Sequence, residues 1–203
     1  MLQNRVDPEG NIIRTSARGA WMGNRGILHD ENQNVLRAFK LKAWITCVLE
    51  FRGRKRSVMA PNRYTELFFL DEATAFSAGH RPCFECRRQD AVRFKTYWLK
   101  GNPEYGFDER TPVAEIDNIL HRERIGRKGL KVTHTEDIAG LPDGSCIRWK
   151  DKAGLVKGGE IFFWSSSGYE RAVPRPSSGP VEVLTPASIV KTFRAGYAPQ
   201  MAV

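Results

Sequence analysis

Two cysteines stand two residues apart in the segment AGHRPCFECRR, which covers residues 78–88. A C-x-x-C turn just before a helix can bring two thiolates to one zinc ion at about 2.3 Å, and the N-terminus of the helix favours their negative charge. Cys83 and Cys86 therefore predict one half of a metal site, with zinc as the expected ion.

The remaining ligands are less clearly marked, because the chain has four cysteines and no second C-x-x-C pair. Cys47 lies on the nearly all-apolar face of the predicted strand at 43–51, which favours a buried core thiol and leaves a role as third ligand as the alternative. Cys146 is expected to face inward from a strand, and His80 to have a packing or surface role. The sequence leaves a fourth ligand open.

A redox pair is the main alternative for the C-x-x-C motif. Such pairs follow a strand in a thioredoxin-like βαβ unit. Here the sequence predicts that a helix and a Pro turn precede the motif, which favours metal binding.

The wider segment FFLDEATAFSAGHRPCFECRR, residues 68–88, resembles the second half of the zinc-binding domain of the bacterial alkylation-response protein Ada and of small Ada-like zinc modules. The resemblance implies that Cys83 and Cys86 are the second ligand pair of such a zinc site. The first ligand pair of that family, which includes its methyl-accepting cysteine, has no counterpart in the matched segment, so methyl transfer is not implied. As a whole the chain resembles uncharacterised bacterial proteins of this length.

Charge points to a polyanionic partner. The 203 residues carry 32 Lys and Arg against 23 Asp and Glu, a formal net charge of +9, and such an excess favours contact with nucleic acid. The residues expected to contact phosphates lie in a basic turn and around the cysteines: Arg52, Arg54, Lys55, Arg56, Arg81, Arg87 and Arg88.

Two other classes of function stay open. In an enzyme, His29 with Asp30, or His121 with Glu123, could supply acid and base groups. His121 and Glu123 are two residues apart on a predicted helix, however, so their side chains point to different faces. No nucleophile motif such as G-x-S-x-G is found. In a structural or protein-interaction module, the cysteine turn would only stabilise the fold.

The predicted elements define an α+β protein with short mixed or antiparallel strands and three to four helices. The patterns predict strands at 43–51, 67–70, 145–150, 154–159 and 160–169, and helices at 72–78, 84–99, 112–126 and 187–197, with residues 1–40 rich in loops and 173–186 an extended connection.

We expect a single compact domain over 1–203, with two halves: a cysteine-turn half at 1–100, and a helix plus β-rich half at 111–203. No apolar run approaches the ~18–20 residues of a membrane span, and the first residues lack the apolar core of a signal peptide. A cytoplasmic protein is expected.

Overall fold

A computed structural model describes residues 1–54 and 57–203. Within these residues the chain forms two six-stranded sheets and four α-helices, so the predicted α+β class is confirmed. Lys55 and Arg56, both expected to contact phosphates, lie outside the described residues.

The first sheet is mixed and is built from very short strands. Its order is β2-β1-β5-β3-β4-β6, with parallel pairing between β1 and β5 and between β4 and β6. The strands are β1 (Gln3–Val6), β2 (Ile12–Arg14), β3 (Trp21–Asn24), β4 (Ile45–Cys47), β5 (Leu67–Phe69) and β6 (Arg81–Pro82). The expected strand at 43–51 is therefore only three residues long, and the chain then turns at Phe51–Arg54.

The second sheet is antiparallel, in the order β11-β10-β9-β8-β12-β7. Its strands are β7 (His134–Asp137), β8 (Cys146–Trp149), β9 (Lys152–Lys157), β10 (Glu160–Ser165), β11 (Gly168–Pro174) and β12 (Pro180–Val183). The β8–β9 hairpin turns at Lys150 and Asp151, which both have positive φ (49° and 63°), as a two-residue turn of this kind requires. The expected connection at 173–186 contains β12, which pairs with both β7 and β8.

The helices are α1 (Glu72–Ser77), α2 (Arg88–Gly101), α3 (Val113–Arg124) and α4 (Ala187–Arg194). The helix α1 is capped by Asp71, whose carboxylate accepts from the Thr74 N–H at 2.8 Å. The expected start of α2 at residue 84 was wrong, because residues 83–87 form the cysteine turn. The helix expected at 112–126 begins one residue later, because Pro112 occupies the N-cap of α3, and the Thr111 hydroxyl donates to Asp108.

A core of aromatic rings packs the helices together. Phe76 of α1 lies 5.5 Å from Phe94 of α2 and 5.3 Å from Phe193 of α4, measured between ring centroids. Every residue of α1 is buried, and its N-terminal region also contacts the second sheet, since the Trp164 indole donates to the Thr74 hydroxyl. The helix α1 thus positions the chain segment that leads into the cysteines. None of the helices in the described ranges is long and apolar enough to cross a membrane.

Candidate metal centre

Three cysteine sulfurs converge at one end of the first sheet. The Sγ atoms of Cys47, Cys83 and Cys86 all lie within 4.8 Å of one another. In a tetrahedral site with zinc–sulfur distances of about 2.3 Å, the sulfurs lie about 3.8 Å apart. Small side-chain adjustments are therefore enough for all three to reach one ion. The structure brings together the three residues that the sequence marked as ligands.

The parallel pairing of β4 with β6 places Cys47 beside Cys83. In this register Ile45 is opposite Arg81 and Thr46 is opposite Pro82. The residues that follow, Cys47 and Cys83, therefore lie side by side at the same end of the strand pair. The backbone N–H of Cys83 donates to the Thr46 carbonyl at 2.9 Å and extends the pairing by one step.

The chain then folds into a tight turn that returns Cys86 toward the same point. The Arg87 N–H donates to the carbonyl of Cys83 at 3.0 Å and closes this turn. The C-x-x-C pair follows a strand, β6, that the sequence did not predict. The third sulfur, from Cys47, distinguishes the cluster from a two-cysteine redox motif.

Hydrogen bonds prepare the site for negative charge. The Cys47 thiol donates to Cys83, and the backbone N–H groups of Cys86 and Glu85 add to this; together they outweigh the effect of burial and lower the pKa of Cys83 to about 5. The pKa of Cys47 is raised by the same Cys47–Cys83 bond and by burial. Burial raises the pKa of Cys86, although the Val48 N–H donates to its sulfur. Backbone donors of this kind suit thiolates that hold a cation.

The cluster is closed on one side and open on the other. Cys47 and Cys83 are buried and pack with Met22 of β3, with Ile45 and Phe68 at the margin. Cys86 is half-buried and lines a cleft of about 310 Å³. The other lining residues are mostly polar: Val48, Glu85, Arg87, Arg88, Gln89 and Asp90.

Arg87 connects the cysteine turn to the surrounding elements. Its guanidinium donates to Thr46 Oγ1 at 3.0 Å, to Glu72 Oε1 at 2.5 Å and to Asp90 Oδ2 at 2.9 Å. It also stacks on the Trp21 ring, 3.9 Å from the centroid. One side chain thus joins β4, α1 and α2 around the sulfurs. No pattern in the sequence indicated this positioning role.

The basic residues named from the sequence fall into two groups. Arg81 and Arg87 are buried and bound to carboxylates, Arg81 through two bonds of 2.8 and 2.7 Å to Asp117. The charges of Arg81 and Arg87 are thus paired with carboxylates inside the fold. Arg52, Arg54 and Arg88 are exposed, and Arg54 pairs with Glu85 at 2.7 Å on the surface.

The groups considered for acid–base chemistry lie apart and take part in structural bonds. His29 is buried, with Nδ1 2.6 Å from Thr65 Oγ1 and Nε2 3.3 Å from the carbonyl of Ala60. His121 packs edge-on against a phenylalanine ring, whereas Glu123 accepts from the Ser188 hydroxyl. As expected from their spacing, His121 and Glu123 form no dyad.

Two further expectations concern single residues. Asp30, the proposed partner of His29, accepts the backbone N–H groups of Asn32 and Asn34 and so orders its own turn. Cys146 is buried as predicted, in a separate cluster with Ala73. It makes no contribution to the group of three sulfurs.

Comparison of the chain with protein-family models, with curated protein sequences and with solved structures finds no match. The likeness to Ada-like modules therefore depends on the cysteine segment alone. What the fold and site define is a protein of the α+β class with a three-cysteine cluster able to hold a metal ion.

Proposed function

We propose that this protein is a zinc protein whose ion is held by the thiolates of Cys47, Cys83 and Cys86. The observation that carries the proposal is the convergence of the three sulfurs within 4.8 Å. Thiolate ligands select soft or borderline metals, and zinc accepts tetrahedral sulfur sites without preference for another geometry. The backbone donors to Cys83 and Cys86 support the same conclusion, because they favour the deprotonated sulfurs that zinc requires.

The proposed zinc has three protein ligands and one position that faces the cleft beside Cys86. Across residues 1–54 and 57–203, no fourth His, Cys, Asp or Glu joins the cluster within the same distance. Structural zinc sites take four protein ligands, whereas sites with three leave a position for water or a substrate. When bound there, zinc would supply a Lewis acid and an exchangeable coordination position. The resemblance of residues 68–88 to an Ada-like module accounts for the cysteine turn of this site.

The test is the zinc content of the protein purified without added metal. We expect about one zinc per chain, and loss of most of it in Cys47→Ser, Cys83→Ser and Cys86→Ser. Cys146→Ser is the matched control, because Cys146 is buried in another cluster and should leave the zinc content unchanged. Wild-type protein without metal, or Cys47→Ser with full zinc content, would overturn the proposal.

We also propose that the cysteine turn contacts the phosphates of nucleic acid. The net charge of +9 supports this, as do the exposed side chains of Arg52, Arg54 and Arg88. Arg54 pairs with Glu85 of the cysteine turn, and Arg88 lines the cleft beside Cys86. Contacts of this type position a protein on the backbone without reading sequence. Arg81 and Arg87 take no part in the proposal because their guanidiniums are buried in ion pairs.

Salt dependence tests the second proposal. Binding to duplex DNA should weaken as the salt concentration rises. The plot of log K against log salt concentration has a negative slope, and the magnitude of that slope should decrease by about 0.9 for each phosphate contact removed. Arg52→Gln with Arg88→Gln should reduce the slope, whereas Arg171→Gln, on the exposed edge strand β11, should not. Absence of binding at ~50 mM salt would overturn this proposal and leave the zinc proposal intact.

A further inference from the structure

A second site is suggested by buried cations that pack around Trp44. Two guanidiniums lie over the Trp44 ring, with Arg25 Cζ at 3.9 Å and Arg124 Cζ at 4.0 Å from its centroid. The His80 ring lies 5.1 Å from the same indole. Arg25, Arg124, His80 and Trp44 are each at most 1% exposed.

The two arginines are bound by neutral acceptors. Arg25 donates through Nη1 to the carbonyl of Gly10 at 2.9 Å and through Nε to His80 Nε2 at 3.2 Å. Arg124 donates to the carbonyls of Gly79 and Lys42. In the described part of the chain, neither guanidinium forms an ion pair with a carboxylate. Buried charges of this kind are costly unless an opposite charge is supplied.

Three buried nitrogen atoms of the group make no hydrogen bond with any described residue: Arg25 Nη2, Arg124 Nε and His80 Nδ1. A Cβ atom placed on Gly10 would lie 3.8 Å from Arg25 Nη2, and Gly10 lines a cavity of about 390 Å³ to which Arg25 itself contributes. Arg25 Nη2 therefore lies next to the part of the cavity wall that Gly10 forms.

Lys131 adds a third cation to the cavity wall. Its ammonium donates to the carbonyl of Ser77 at 2.5 Å, which leaves further N–H bonds for a ligand. Burial lowers the pKa of Lys131 to about 7 and that of Arg25 to about 9. The exposed Arg37 lines the mouth of the same cavity.

Acidic groups nearby are engaged elsewhere or are poorly ionised. Glu9 lines the cavity and pairs with Arg148 at 2.8 Å. Asp7 favours the charged forms of Arg25 and Lys131, but its oxygens accept from Asn11, and burial raises its pKa. Cations on this wall thus outnumber the carboxylates available to them.

We propose that this cavity binds a small molecule through a phosphate or carboxylate group, held by Arg25 Nη2 and the Lys131 ammonium. Charge-assisted bonds to an oxyanion would satisfy the Arg25 Nη2 donor and neutralise the buried charge. The cavity is larger than one oxyanion, and its walls include the apolar residues Ile12, Val35 and Ile125. The ligand is therefore a small organic anion with an apolar part, and the site is separate from the cysteine cluster.

The test is binding of phenyl phosphate, benzoate and inorganic phosphate, measured by calorimetry at constant ionic strength set with sodium chloride. We expect saturable binding with one site per chain, and tighter binding of the phenyl compounds than of inorganic phosphate. A preference for phenyl phosphate or for benzoate identifies the natural oxyanion.

Variants separate this site from nonspecific attraction to a basic protein. Lys131→Met should weaken binding at least tenfold. Arg37→Gln should weaken it severalfold, and because Arg37 is exposed at the mouth of the cavity, this variant leaves the core unchanged. Lys152→Met, on an exposed position of β9, is the matched control and should bind as the wild type does. Absence of saturable binding would overturn the proposal. So would wild-type affinity in both single variants, Arg37→Gln and Lys131→Met.

Discussion

The Arg87 guanidinium donates to Glu72 Oε1 at 2.5 Å, and both side chains are almost completely buried. This bond ties the turn that contains Cys83 and Cys86 to the first turn of α1. Because Arg87 also donates to Thr46, the residue before Cys47, it fixes the relative position of all three sulfurs. Glu72 in turn accepts from the Tyr197 hydroxyl at 3.2 Å and so connects the site to the C-terminal segment.

Replacement of Arg87 by Met should destabilise the fold strongly. The change leaves the Glu72 carboxylate buried without its cation, and loss of one partner of a buried ion pair costs about 3–5 kcal/mol. We expect a loss of this size in the free energy of unfolding, measured by urea denaturation. Arg88→Met is the matched control: Arg88 is exposed, so its loss should change stability by less than about 0.5 kcal/mol. Equal effects of the two changes would contradict the positioning role of Arg87.

Removal of zinc should lower stability in proportion to the affinity of the site. A ligand that binds only the folded state at about 100 times its dissociation constant adds about 2.7 kcal/mol. Dialysis against a chelator should therefore lower the urea midpoint, and added zinc should restore it, whereas magnesium, which prefers oxygen ligands, should not. A midpoint unchanged by the chelator in wild type, or lowered equally in Cys83→Ser, would contradict a stabilising metal.

Gly79 should tolerate no side chain. It has φ +85° at the end of α1, and a Cβ atom there would lie 2.4 Å from Arg124 Cδ. Gly79→Ala combines this clash with an unfavourable backbone conformation, so we expect a loss of more than about 2 kcal/mol.

Gly106→Ala is the control for the effect of the backbone conformation. Gly106 also has positive φ (64°), but nothing lies within 4 Å of its Cβ position. We expect a loss of about 1 kcal/mol there, from the left-handed conformation alone. Similar losses at Gly79 and Gly106, measured by thermal unfolding, would show that packing against Arg124 is unimportant.

His80 should make the fold less stable in acid. Burial, with the charges of Arg25 and Arg124, holds the pKa of His80 well below its usual value, so the folded protein keeps this ring neutral. The unfolded chain takes up a proton there near pH ~6.5, and stability therefore falls as pH decreases below that value. Between about pH 7.5 and about pH 5.5, the loss from this group is about 1.4 kcal/mol.

His80→Gln isolates this contribution, because the amide oxygen of Gln can accept from Arg25 and does not titrate. The cysteines titrate in both proteins, so only the difference between the two pH profiles is attributed to His80. We expect the profile of His80→Gln to be flatter than that of wild type by this amount. Identical slopes in urea denaturation would contradict a neutral buried His80.

Local patterns predicted those parts of the fold that depend on neighbours in sequence. The helix predicted at 72–78 depends on residues within a few positions, and the structure confirms a helix at Glu72–Ser77 with its cap at Asp71. The hairpins of the second sheet were also visible as apolar runs separated by turns. By contrast, the strands of the first sheet have two to four residues, too few for a pattern to stand out from a loop.

The site illustrates the same division. The spacing of Cys83 and Cys86 is local, and it marked them at once. Cys47 joins them only through the parallel pairing of β4 with β6, whose paired residues Ile45 and Arg81 are far apart in sequence. Alternation along the strand correctly indicated that Cys47 is buried, but burial alone does not separate a core thiol from a ligand.

Basic residues could not be sorted from sequence at all. Arg87 and Arg88 are adjacent and chemically identical, yet one is buried in an ion pair and the other is exposed. The difference depends on Glu72, which long-range packing brings to Arg87 and not to Arg88. For the same reason the cations around Trp44 became visible only in the folded chain.

The most direct test of the central claim is X-ray absorption at the zinc edge, on zinc-loaded wild type and on Cys47→Ser. We predict three sulfur neighbours at about 2.3 Å and one lighter neighbour, nitrogen or oxygen, near 2.0 Å in the wild type. The Cys47→Ser protein, if it still binds zinc, should show two sulfur neighbours. The same number of sulfurs in both proteins, or fewer than three in the wild type, would contradict a zinc site built from Cys47, Cys83 and Cys86.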